Sequence, residues 1–512
     1  MNGAQSLVQT AVASGIEVCF ANPGTTEVTL MAALDAMCGI KPVLCLTEGV
    51  CAGAADGFGR MRDWPALTLT HLGPGFANAI AQVHNARRAH SPVVNIIGQQ
   101  ATWHVAGGSV LDMDVEGLAR SVSDWTCSSG QAATLGDDLR QAIESAAGQP
   151  GQVATLIVPA DCQWEEGGRV ELARAVRKLR SPNPANIEAV AARLRDSSRV
   201  LLLLGGAALR EAPLRLAGEV AARSGARLFC ETFPARAERG RGRPLLTRLP
   251  YFPEQAQPIL ASASDLVLVG TREPVATFGY AGGPRRLVPP NVAVHSLASA
   301  EENPERALAA LLELLPKRSP VTRDEPAPPP CPSGALDVHS FGGVLAACQP
   351  DHAIVVDESA TSGGPYALLS HGAKPFSHLN LTGGAIGFGL PCALGAALAC
   401  PERPVLALQA DGGGLYSTSA LWSLAREGAN VTVVVCANQA YRILRMETSR
   451  AGHRLGHAST TLTDLSTPRV DWVALARSLG VPAERVEDAT DLAGRLETAF
   501  EEPGPHLIEV PL

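Results

Sequence analysis

Short apolar runs alternate with longer alanine-rich segments along the first 165 residues of the chain. The short runs are rich in β-branched residues, which favour strands, and the longer segments place apolar residues at helical spacing. Strict alternation of strand and helix predicts a parallel sheet with helices on both faces. The predicted strands are 16–21, 42–47, 66–70 and 92–97, and the predicted helices are 26–37, 50–61 and 76–89.

The same alternation continues in two further regions, and a chain of 512 residues is too long for one core. Strands are predicted at 200–204, 227–230, 266–269 and 292–295 in one region, and at 404–410 and 431–437 in the other, with a helix at 416–426. Between these regions, 317–332 combine proline with charged residues, which is typical of an extended linker. The predicted fold class is α/β, with three doubly wound parallel-sheet domains at 1–165, 183–317 and 336–512.

Polar residues interrupt the apolar pattern where the predicted strands of the first region end. They are Asn22, Glu48, His71, Gln99 and Gln100. Ligands of open parallel sheets bind at the carboxyl edge of the strands, so these side chains are predicted to share one rim.

A carboxylate and an amide end two strands of the third region in the same way. Asp411 follows strand 404–410 and Asn438 follows strand 431–437, so a right-handed crossover would bring both to one edge. Carboxylate, amide, backbone and phosphate oxygens together suit Mg²⁺, and Gly412 and Gly413 would let the backbone approach a diphosphate. From spacing alone, a turn at Asp411 and a cap at Asn438 are an alternative interpretation.

Glu48 has apolar or neutral neighbours, among them Leu46, Val50 and Cys51. These neighbours predict a buried carboxyl group, an environment that disfavours the charged form. Taken by itself, Glu48 could instead cap the helix that follows it.

Together these residues resemble the thiamine diphosphate enzymes of the acetolactate synthase and benzoylformate decarboxylase family. The likeness extends over nearly the whole chain. Its motifs are 22–27, Glu48, 54–57, 71–75 with Asn78, 359–364, 383–391, Asp411-Gly412 and 438–441.

The resemblance implies a role for each matching residue. Asp411, Asn438 and the carbonyl of Ala440 would hold Mg²⁺. Glu48 would donate a hydrogen bond to the aminopyrimidine of thiamine diphosphate and so promote loss of the cofactor's C2 proton. Ile386 would be the bulky apolar residue that keeps the cofactor bent. The other implied cofactor contacts are Asn78, Ser359, Thr361, Ser362, Gly384, Gly412, Gly413 and Tyr441.

His71 matches an active-site histidine of benzoylformate decarboxylases, at a position where acetolactate synthases of amino-acid synthesis usually have none. The resemblance implies a general acid or base, and a hydrogen-bonded structural histidine is the alternative. Thr25, or its neighbour Thr26, takes the place of a serine that binds the substrate carboxylate. Weaker candidates for contact with substrate are Gln99, Gln100 and His104.

Two residues depart from the family pattern. Ala410 replaces a usual glycine and Gly413 a frequent serine, which predicts weakened but not abolished cofactor binding. In the second region Gly205-Gly206 is a weak sign of a nucleotide site, and it lacks the GxGxxG pattern. FAD, which acetolactate synthases bind in this domain, is therefore not expected.

Composition restricts the partners and the compartment. The net charge of −8 and the pI near 5.9 argue against binding to nucleic-acid phosphates. No apolar run approaches the ~20 residues of a membrane span, and the N-terminal residues lack the pattern of an export signal, so a cytoplasmic protein is expected. The twelve cysteines are scattered without CxxC spacing, which predicts buried thiols rather than disulfides.

The function that the resemblance implies is decarboxylation or carboligation of a small 2-oxo acid. In that family an enamine on the cofactor is either protonated or ligated to a second carbonyl, and His71 weakly favours protonation. Acetolactate synthase proper is one alternative, and a catalytically degenerate homologue serving as a subunit or scaffold is another. Because the family pairs the domains of Glu48 and Asp411 across subunits, a homodimer or homotetramer with active sites at the subunit interface is expected.

Overall fold

The computed structural model describes residues 1–174, 176–197, 199–316 and 326–512, and residues 317–325 of the predicted linker lie outside this part of the chain. The described residues form two compact units. The first contains Met1–Arg177, Pro329–Leu369 and Leu381–Leu512, and the second contains Lys178–Pro328 and Ser370–Asn380.

The N-terminal part of the first unit is built on a six-stranded parallel sheet, as the alternating pattern predicts. Its strand order is β2-β1-β3-β4-β6-β5, so the direction of winding reverses between β1 and β3. Every residue of β6 is buried, as expected of a strand covered on both faces. The strands are β1 (Val18–Asn22), β2 (Lys41–Leu44), β3 (Ala66–His71), β4 (Val93–Gln99), β5 (Trp125–Ser128) and β6 (Val153–Pro159).

Helices cover both faces of this sheet. The first begins at a capping box, in which the Asn2 side chain accepts from the backbone N–H of Gln5 and the Gln5 side chain accepts from that of Asn2. A short 3₁₀ helix at Thr25–Glu27 precedes the second. The helices are α1 (Gly3–Ala13), α2 (Val28–Ala36), α3 (Glu48–Arg62), α4 (Leu72–Arg88), α5 (Thr102–Val105), α6 (Val115–Val122), α7 (Leu135–Ala146) and α8 (Ala160–Trp164).

The second unit contains a smaller parallel sheet of order β10-β8-β7-β11-β12. A further strand, β9, pairs antiparallel with residues Phe376–Asn380 of the same unit. The strands are β7 (Val200–Leu204), β8 (Arg227–Cys230), β9 (Arg236–Arg239), β10 (Thr247–Arg248), β11 (Asp265–Val269) and β12 (Ala293–Ala298). The helices are α9 (Pro184–Asp196), α10 (Glu211–Ser224), α11 (Pro253–Ala261) and α12 (Pro304–Leu314), with 3₁₀ turns at Gly206–Leu209 and Ser370–Gly372.

The C-terminal part of the first unit has its own parallel sheet, in which β17, β18, β16, β15 and β13 are successive neighbours. The strands are β13 (Ala353–Glu358), β14 (Phe376–Asn380, in the second unit), β15 (Val405–Ala410), β16 (Val431–Ala437), β17 (Ala483–Arg485) and β18 (His506–Pro511). The helices are α13 (Val338–Cys348), α14 (Gly364–Leu369), α15 (Gly389–Ala399), α16 (Asp411–Gly414), α17 (Ser419–Glu427), α18 (Arg442–Arg450), α19 (His457–Thr461), α20 (Trp472–Ser478) and α21 (Ala489–Glu501).

The boundaries of several strands and helices differ from the predicted ones near the polar residues at the strand ends. β2 ends at Leu44 rather than at 47, and α3 begins at Glu48 rather than at 50. α4 begins directly after His71, so residues 73–75 lie in its first turn rather than in a loop. Glu48 and Asp411 are therefore first residues of helices, where the unpaired backbone N–H groups favour acidic side chains.

Among the described residues, no helix has both the length and the hydropathy of a membrane span. No disulfide joins the cysteines, all of which lie in the described ranges. Cys19, Cys45, Cys230 and Cys436 are buried within the apolar cores, as predicted. The prediction of buried thiols is wrong for Cys38 and Cys331, which are exposed.

Helices α3 and α15 pack so closely that their backbones touch. A β-carbon at Gly57 would lie 2.1 Å from the carbonyl oxygen of Cys392, and one at Gly395 would lie 1.8 Å from that of Ala54. Only glycine permits this approach. The contact joins the N-terminal and C-terminal parts of the first unit.

We expect Gly395→Ala to destabilise the first unit by about 1–3 kcal/mol, because α3 and α15 would have to move apart. Gly494→Ala is the matched control, since Gly494 lies within α21 and a β-carbon there would meet no atom within 4 Å. The control should be stabilising by roughly 0.5–1 kcal/mol. Thermal unfolding followed by circular dichroism compares the two, and a Gly395→Ala protein as stable as wild type would contradict the expectation.

Candidate active site

The carboxyl edge of the N-terminal sheet gathers the polar residues predicted to share a rim. β1 ends at Asn22, β3 at His71 and β4 at Gln99. The side-chain amide of Asn22 donates to the carbonyl of Cys45 at 2.7 Å, which connects the end of β1 to the loop before Glu48. The winding reverses between β1 and β3, and such switch points are where open parallel sheets bind ligands.

His71 is held by a buried carboxyl group, that of Glu27. Nδ1 of His71 lies 2.8 Å from Oε2 of Glu27 and 3.1 Å from Oγ1 of Thr26. The same Glu27 oxygen accepts from the backbone N–H of Gly24 at 2.6 Å. A hydrogen bond from Nδ1–H to Glu27 fixes the imidazole tautomer and leaves Nε2 for other chemistry. Thr26 rather than Thr25 therefore contacts the histidine, and Thr25 is exposed.

Two glycines leave room for this pair. A β-carbon at Gly24 would lie 2.4 Å from Cγ of His71, and one at Gly98, on β4, would lie 1.5 Å from Oε1 of Glu27. Sequence reasoning did not single out Glu27. The available signal was Gly98, because a glycine inside a strand often marks a close approach.

Glu48 is half-buried and hydrogen-bonded to one of its predicted companions. Its Oε2 accepts from the side-chain amide of Asn78 at 3.1 Å. The burial expected from its apolar neighbours is wrong for the single chain, because Leu46 beside it is exposed. The Glu48 carboxyl group thus has a face on which a ligand or a second chain can pack.

The weaker candidates at the edge have contacts other than the His71 imidazole. The side chain of Gln99 accepts from the backbone N–H of Gln100 at 2.8 Å. His104 is exposed and packs edge-on against Trp103, with ring centroids 5.5 Å apart. In the part of the chain that the structure describes, none of these three side chains is hydrogen-bonded to His71.

The second group of predicted residues surrounds Asp411 at the edge of the C-terminal sheet. Asp411 is buried; its Oδ1 accepts from the N–H of Gly412 at 2.8 Å and its Oδ2 from that of Gln439 at 2.6 Å. Burial raises the pKa of the Asp411 carboxyl group, and the backbone N–H groups act in the opposite direction. The glycine turn that follows is compact, because a β-carbon at Gly412 would lie 2.5 Å from the ring of Tyr441.

Asn438 leaves β16 beside Asp411, since Ala410 and Cys436 are paired in register on the adjacent strands. The Asn438 side-chain oxygen accepts from the N–H of Ala440 at 3.0 Å, which folds 438–440 into a tight turn. One carboxylate, one amide oxygen and one backbone carbonyl can therefore meet at this edge, a donor set that suits Mg²⁺.

Two buried serine hydroxyls of the C-terminal part, those of Ser362 and Ser417, have no nitrogen or oxygen partner among the described residues. The Ser362 hydroxyl is hydrogen-bonded to a sulfur, the buried thiol of Cys436. Buried polar groups are normally paired, so the hydroxyl of Ser417 suits an anionic ligand such as phosphate. Ser359 differs, because its hydroxyl donates to Asp357 at 2.5 Å. Thr361 is half-buried and Gly384 exposed.

Glu358 is a buried carboxyl group that sequence reasoning did not identify. Its two oxygens accept from the N–H groups of Gly387 and Gly389, each at 2.6 Å, and it also accepts from the amide of Gln409 at 3.0 Å. Burial raises its pKa, although these donors oppose the shift. A β-carbon at Gly413 would lie 3.1 Å from Oε1, so Glu358 supports both the glycine turn and the residues around Ile386.

A small cavity adjoins Asp411. Glu509, which also lines this cavity, accepts from Arg469 at 2.8 Å and from Arg485 at 3.3 Å, and burial raises the pKa of Glu509. The lining residues are Asp411, Leu415, Ala437, Gln439, Leu465, Arg469, Val470, Trp472 and Glu509.

The glycine pair of the second unit contacts a carboxylate of its own chain. Oε1 of Glu231 accepts from the N–H of Gly206 at 3.1 Å, and Oε2 accepts from the hydroxyl of Thr271 at 2.9 Å. A β-carbon at Gly205 would lie 2.6 Å from Oε2. A flavin diphosphate at this edge would meet a negative charge, so these residues do not fit FAD.

The family follows from comparison with known proteins. Residues 1–118 match the family described as thiamine pyrophosphate enzyme, N-terminal TPP binding domain, and residues 366–510 match the corresponding C-terminal TPP binding domain. A Mycobacterium tuberculosis protein whose name places it among acetolactate synthase large subunits is 44% identical over 512 residues, covering 100% of this chain and 99% of the relative. The chain belongs to the thiamine pyrophosphate enzymes.

Further relatives of this thiamine pyrophosphate (thiamine diphosphate) enzyme span both branches of the expected family. Benzoylformate decarboxylase of Pseudomonas aeruginosa is 28% identical, with 97% of this chain and 96% of that protein covered. The solved structure of a thiamine diphosphate-dependent 4-hydroxybenzoylformate decarboxylase from Rhodococcus jostii RHA1 has a TM-score of 0.86 at 24% identity, covering 100% of this chain and 99% of the other. The predicted family and fold class are thereby confirmed.

The residues fit the cofactor that these domains bind. The buried hydroxyl of Ser417 could serve a phosphate oxygen, and Asp411 with Asn438 could hold a cation on a diphosphate. Within residues 1–174, 176–197, 199–316 and 326–512, no three His, Cys, Asp or Glu side chains group to hold a metal ion. A cation at Asp411 would therefore depend on oxygens from the cofactor itself.

Proposed function

We propose that this enzyme releases CO₂ from a small 2-oxo acid and delivers either an aldehyde or a product ligated to a second carbonyl, with thiamine diphosphate and Mg²⁺ as cofactors. The observation that supports this best is the Glu27–His71 pair on the same sheet edge as Glu48. Bound thiamine diphosphate supplies the electron acceptor for the bond that breaks beside the 2-oxo group.

Each side of the site has its own task in this proposal. Glu48, oriented by Asn78, holds a proton at the aminopyrimidine ring. Asp411, Asn438 and the Ala440 carbonyl would hold Mg²⁺, which would balance the charge of the diphosphate. Ile386 would support the bend of the cofactor, which agrees with its half-buried position outside the apolar core.

His71 is the acid or base that acts on the substrate. Its Nδ1 is engaged by Glu27, so Nε2 is the nitrogen that gives or takes a proton. The hydroxyl of Thr26 lies beside the imidazole and donates to Oε1 of Glu27 at 2.5 Å, so it helps to orient the Glu27–His71 pair. The relative named benzoylformate decarboxylase supports the protonating outcome.

Acetolactate synthase proper is the second candidate, favoured by the name of the relative that is 44% identical. Incubation with pyruvate and with benzoylformate, followed by measurement of CO₂ and identification of products, separates the two. Aldehyde alone supports the decarboxylase, and acetolactate from pyruvate supports the synthase. Failure of the protein to bind thiamine diphosphate with Mg²⁺ in isothermal titration would refute both and favour a scaffold.

The active site is proposed to form between two copies of the chain, in a homodimer or homotetramer. Exposed apolar side chains in both parts of the first unit support a covering partner. Val28, which follows Glu27, and Trp103 are exposed in the N-terminal part, and Tyr416, Leu444 and Leu462 are exposed in the C-terminal part.

We expect Glu48→Gln to bind thiamine diphosphate with an affinity within a few-fold of wild type, because the amide keeps the shape of the side chain. Exchange of the cofactor's C2 proton should slow about 10²-fold or more, because general acid–base catalysis contributes that much. Quenched-flow deuterium exchange read by NMR measures the rate. Wild-type exchange in this variant would remove Glu48 from the mechanism.

We expect His71→Ala to lower turnover of the true substrate by about 10²–10⁴-fold while cofactor affinity stays near wild type. Glu27→Gln should lower turnover less, about tenfold, because the imidazole remains but loses its carboxylate acceptor. Steady-state kinetics with cofactor titrations test both, and His339→Ala, an exposed histidine on α13, is the control. Unchanged turnover in His71→Ala would make the histidine structural.

Mixing two inactive variants tests the shared site. A Glu48→Gln subunit paired with an Asp411→Ala subunit should rebuild one intact site per mixed dimer, since each chain supplies the group that the other lacks. Mixing after mild dissociation should restore about one quarter of wild-type activity, given random pairing of two-fold dimers. No recovery in mixed dimers verified by mass spectrometry would place both residues in a site within one chain.

A further inference from the structure

The segment Thr382–Gly389 joins β14 to α15 and contains Ile386. Its backbone is irregular, with positive φ at Gly384 (77°) and Gly387 (89°). From one side the two oxygens of Glu358 hold the N–H groups of Gly387 and Gly389. The Ile386 side chain itself is only half-buried, so hydrophobic packing is not what holds it in place.

From the other side the segment is held by two amide side chains of α4. Asn85 uses both ends of its amide on one residue: Nδ2 donates to the carbonyl of Ala385 at 2.8 Å, and Oδ1 accepts from the Ala385 N–H at 3.2 Å. Gln82 donates to the carbonyl of Ile386 at 3.1 Å and accepts from Asn85 Nδ2 at 2.8 Å. Both side chains are buried.

These two amides lie in a row on α4 with Asn78, the residue that contacts Glu48. Asn78, Gln82 and Asn85 are spaced i, i+4 and i+7, so they occupy one face of α4. Asn78 donates to Glu48 at 3.1 Å, and the other two hold the backbone at Ala385 and Ile386. One face of α4 thus contacts both the carboxyl group of Glu48 and the backbone of Ile386. Ile386 is the residue that is proposed to keep the cofactor bent.

We propose that Gln82 and Asn85 are positioning residues that fix the peptide of Ile386, so that its side chain keeps bound thiamine diphosphate in the bent shape needed for C2 deprotonation. The proposal rests on the proposed function. Through these two residues, α4 would influence the reactivity of the cofactor by holding the segment Thr382–Gly389 of the same chain. This effect would be distinct from the proton that Glu48 is proposed to hold. A purely structural role would predict lost stability without a specific effect on the cofactor.

The test compares Gln82→Met with Gln163→Met. Each removes one buried amide that donates to a backbone carbonyl, Ile386 in the first case and Val158, at 3.3 Å, in the second. The thermal midpoint should fall further in Gln82→Met, because Gln82 also accepts from Asn85, whereas the side-chain oxygen of Gln163 has no hydrogen-bond partner among the described residues. In Gln82→Met the C2 exchange rate should fall about tenfold or more, with a smaller loss of cofactor affinity, because misplacement of a catalytic contact costs rate. Gln163→Met should match wild type in exchange and affinity.

A double variant identifies the route of the effect. If Gln82 acts through Ile386, adding Gln82→Met to Ile386→Ala should cause no further fall in exchange. A further fall of the same size would overturn the proposal, as would equal exchange rates in Gln82→Met and Gln163→Met. Gln82→Asn and Gln163→Asn replace the methionine pair if Gln82→Met does not fold. Wild-type protein that binds no thiamine diphosphate would overturn the proposed function instead.

Discussion

The contact between the backbones of α3 and α15 is the constraint on which the first unit depends. α3 begins with Glu48, and α15 begins where the segment that contains Ile386 ends. The glycine contact between the two helices therefore fixes the positions of Glu48 and of this segment relative to each other. The buried Arg60 strengthens it from α3: its guanidinium lies 4.7 Å from the ring of Phe388 and donates to Thr382 at 3.3 Å. Interiors are packed too tightly to absorb an added methyl group without such displacements.

The two parallel sheets divide the chemistry between them. The N-terminal sheet ends in the two groups that are proposed to exchange protons, Glu48 and His71, and each is hydrogen-bonded to a neighbouring polar side chain. The C-terminal sheet ends in Asp411 and a glycine turn, which suit a phosphate and its cation. Because strands in a parallel sheet point their carboxyl ends the same way, each set is assembled without special loops.

Buried apolar runs could be predicted well from the sequence, and contacts between distant residues could not. Strands 200–204 and 431–437 have the predicted bounds, because every residue in them is buried. The start of α3 at Glu48 was missed, since Gly49 behind it disfavours helix. Glu27 belongs to the 22–27 motif but was assigned no role, because its partner His71 lies 44 positions away and meets it only once β1 and β3 are neighbours. Gln82 and Asn85 act about 300 positions away, beyond any local pattern.

The space around the Glu27–His71 pair is as restrictive as the pair itself. Backbone atoms of Gly24 and Gly98 lie against the two side chains, and either β-carbon would occupy the position of a ring or carboxyl atom. Alanine is a mild substitution at most surface positions. At Gly24 or Gly98 it would displace the imidazole of His71 or the carboxyl group of Glu27. In the evolution or engineering of this scaffold, substitutions farther along the rim are therefore easier to accommodate than substitutions of the two glycines that pack against the Glu27–His71 pair.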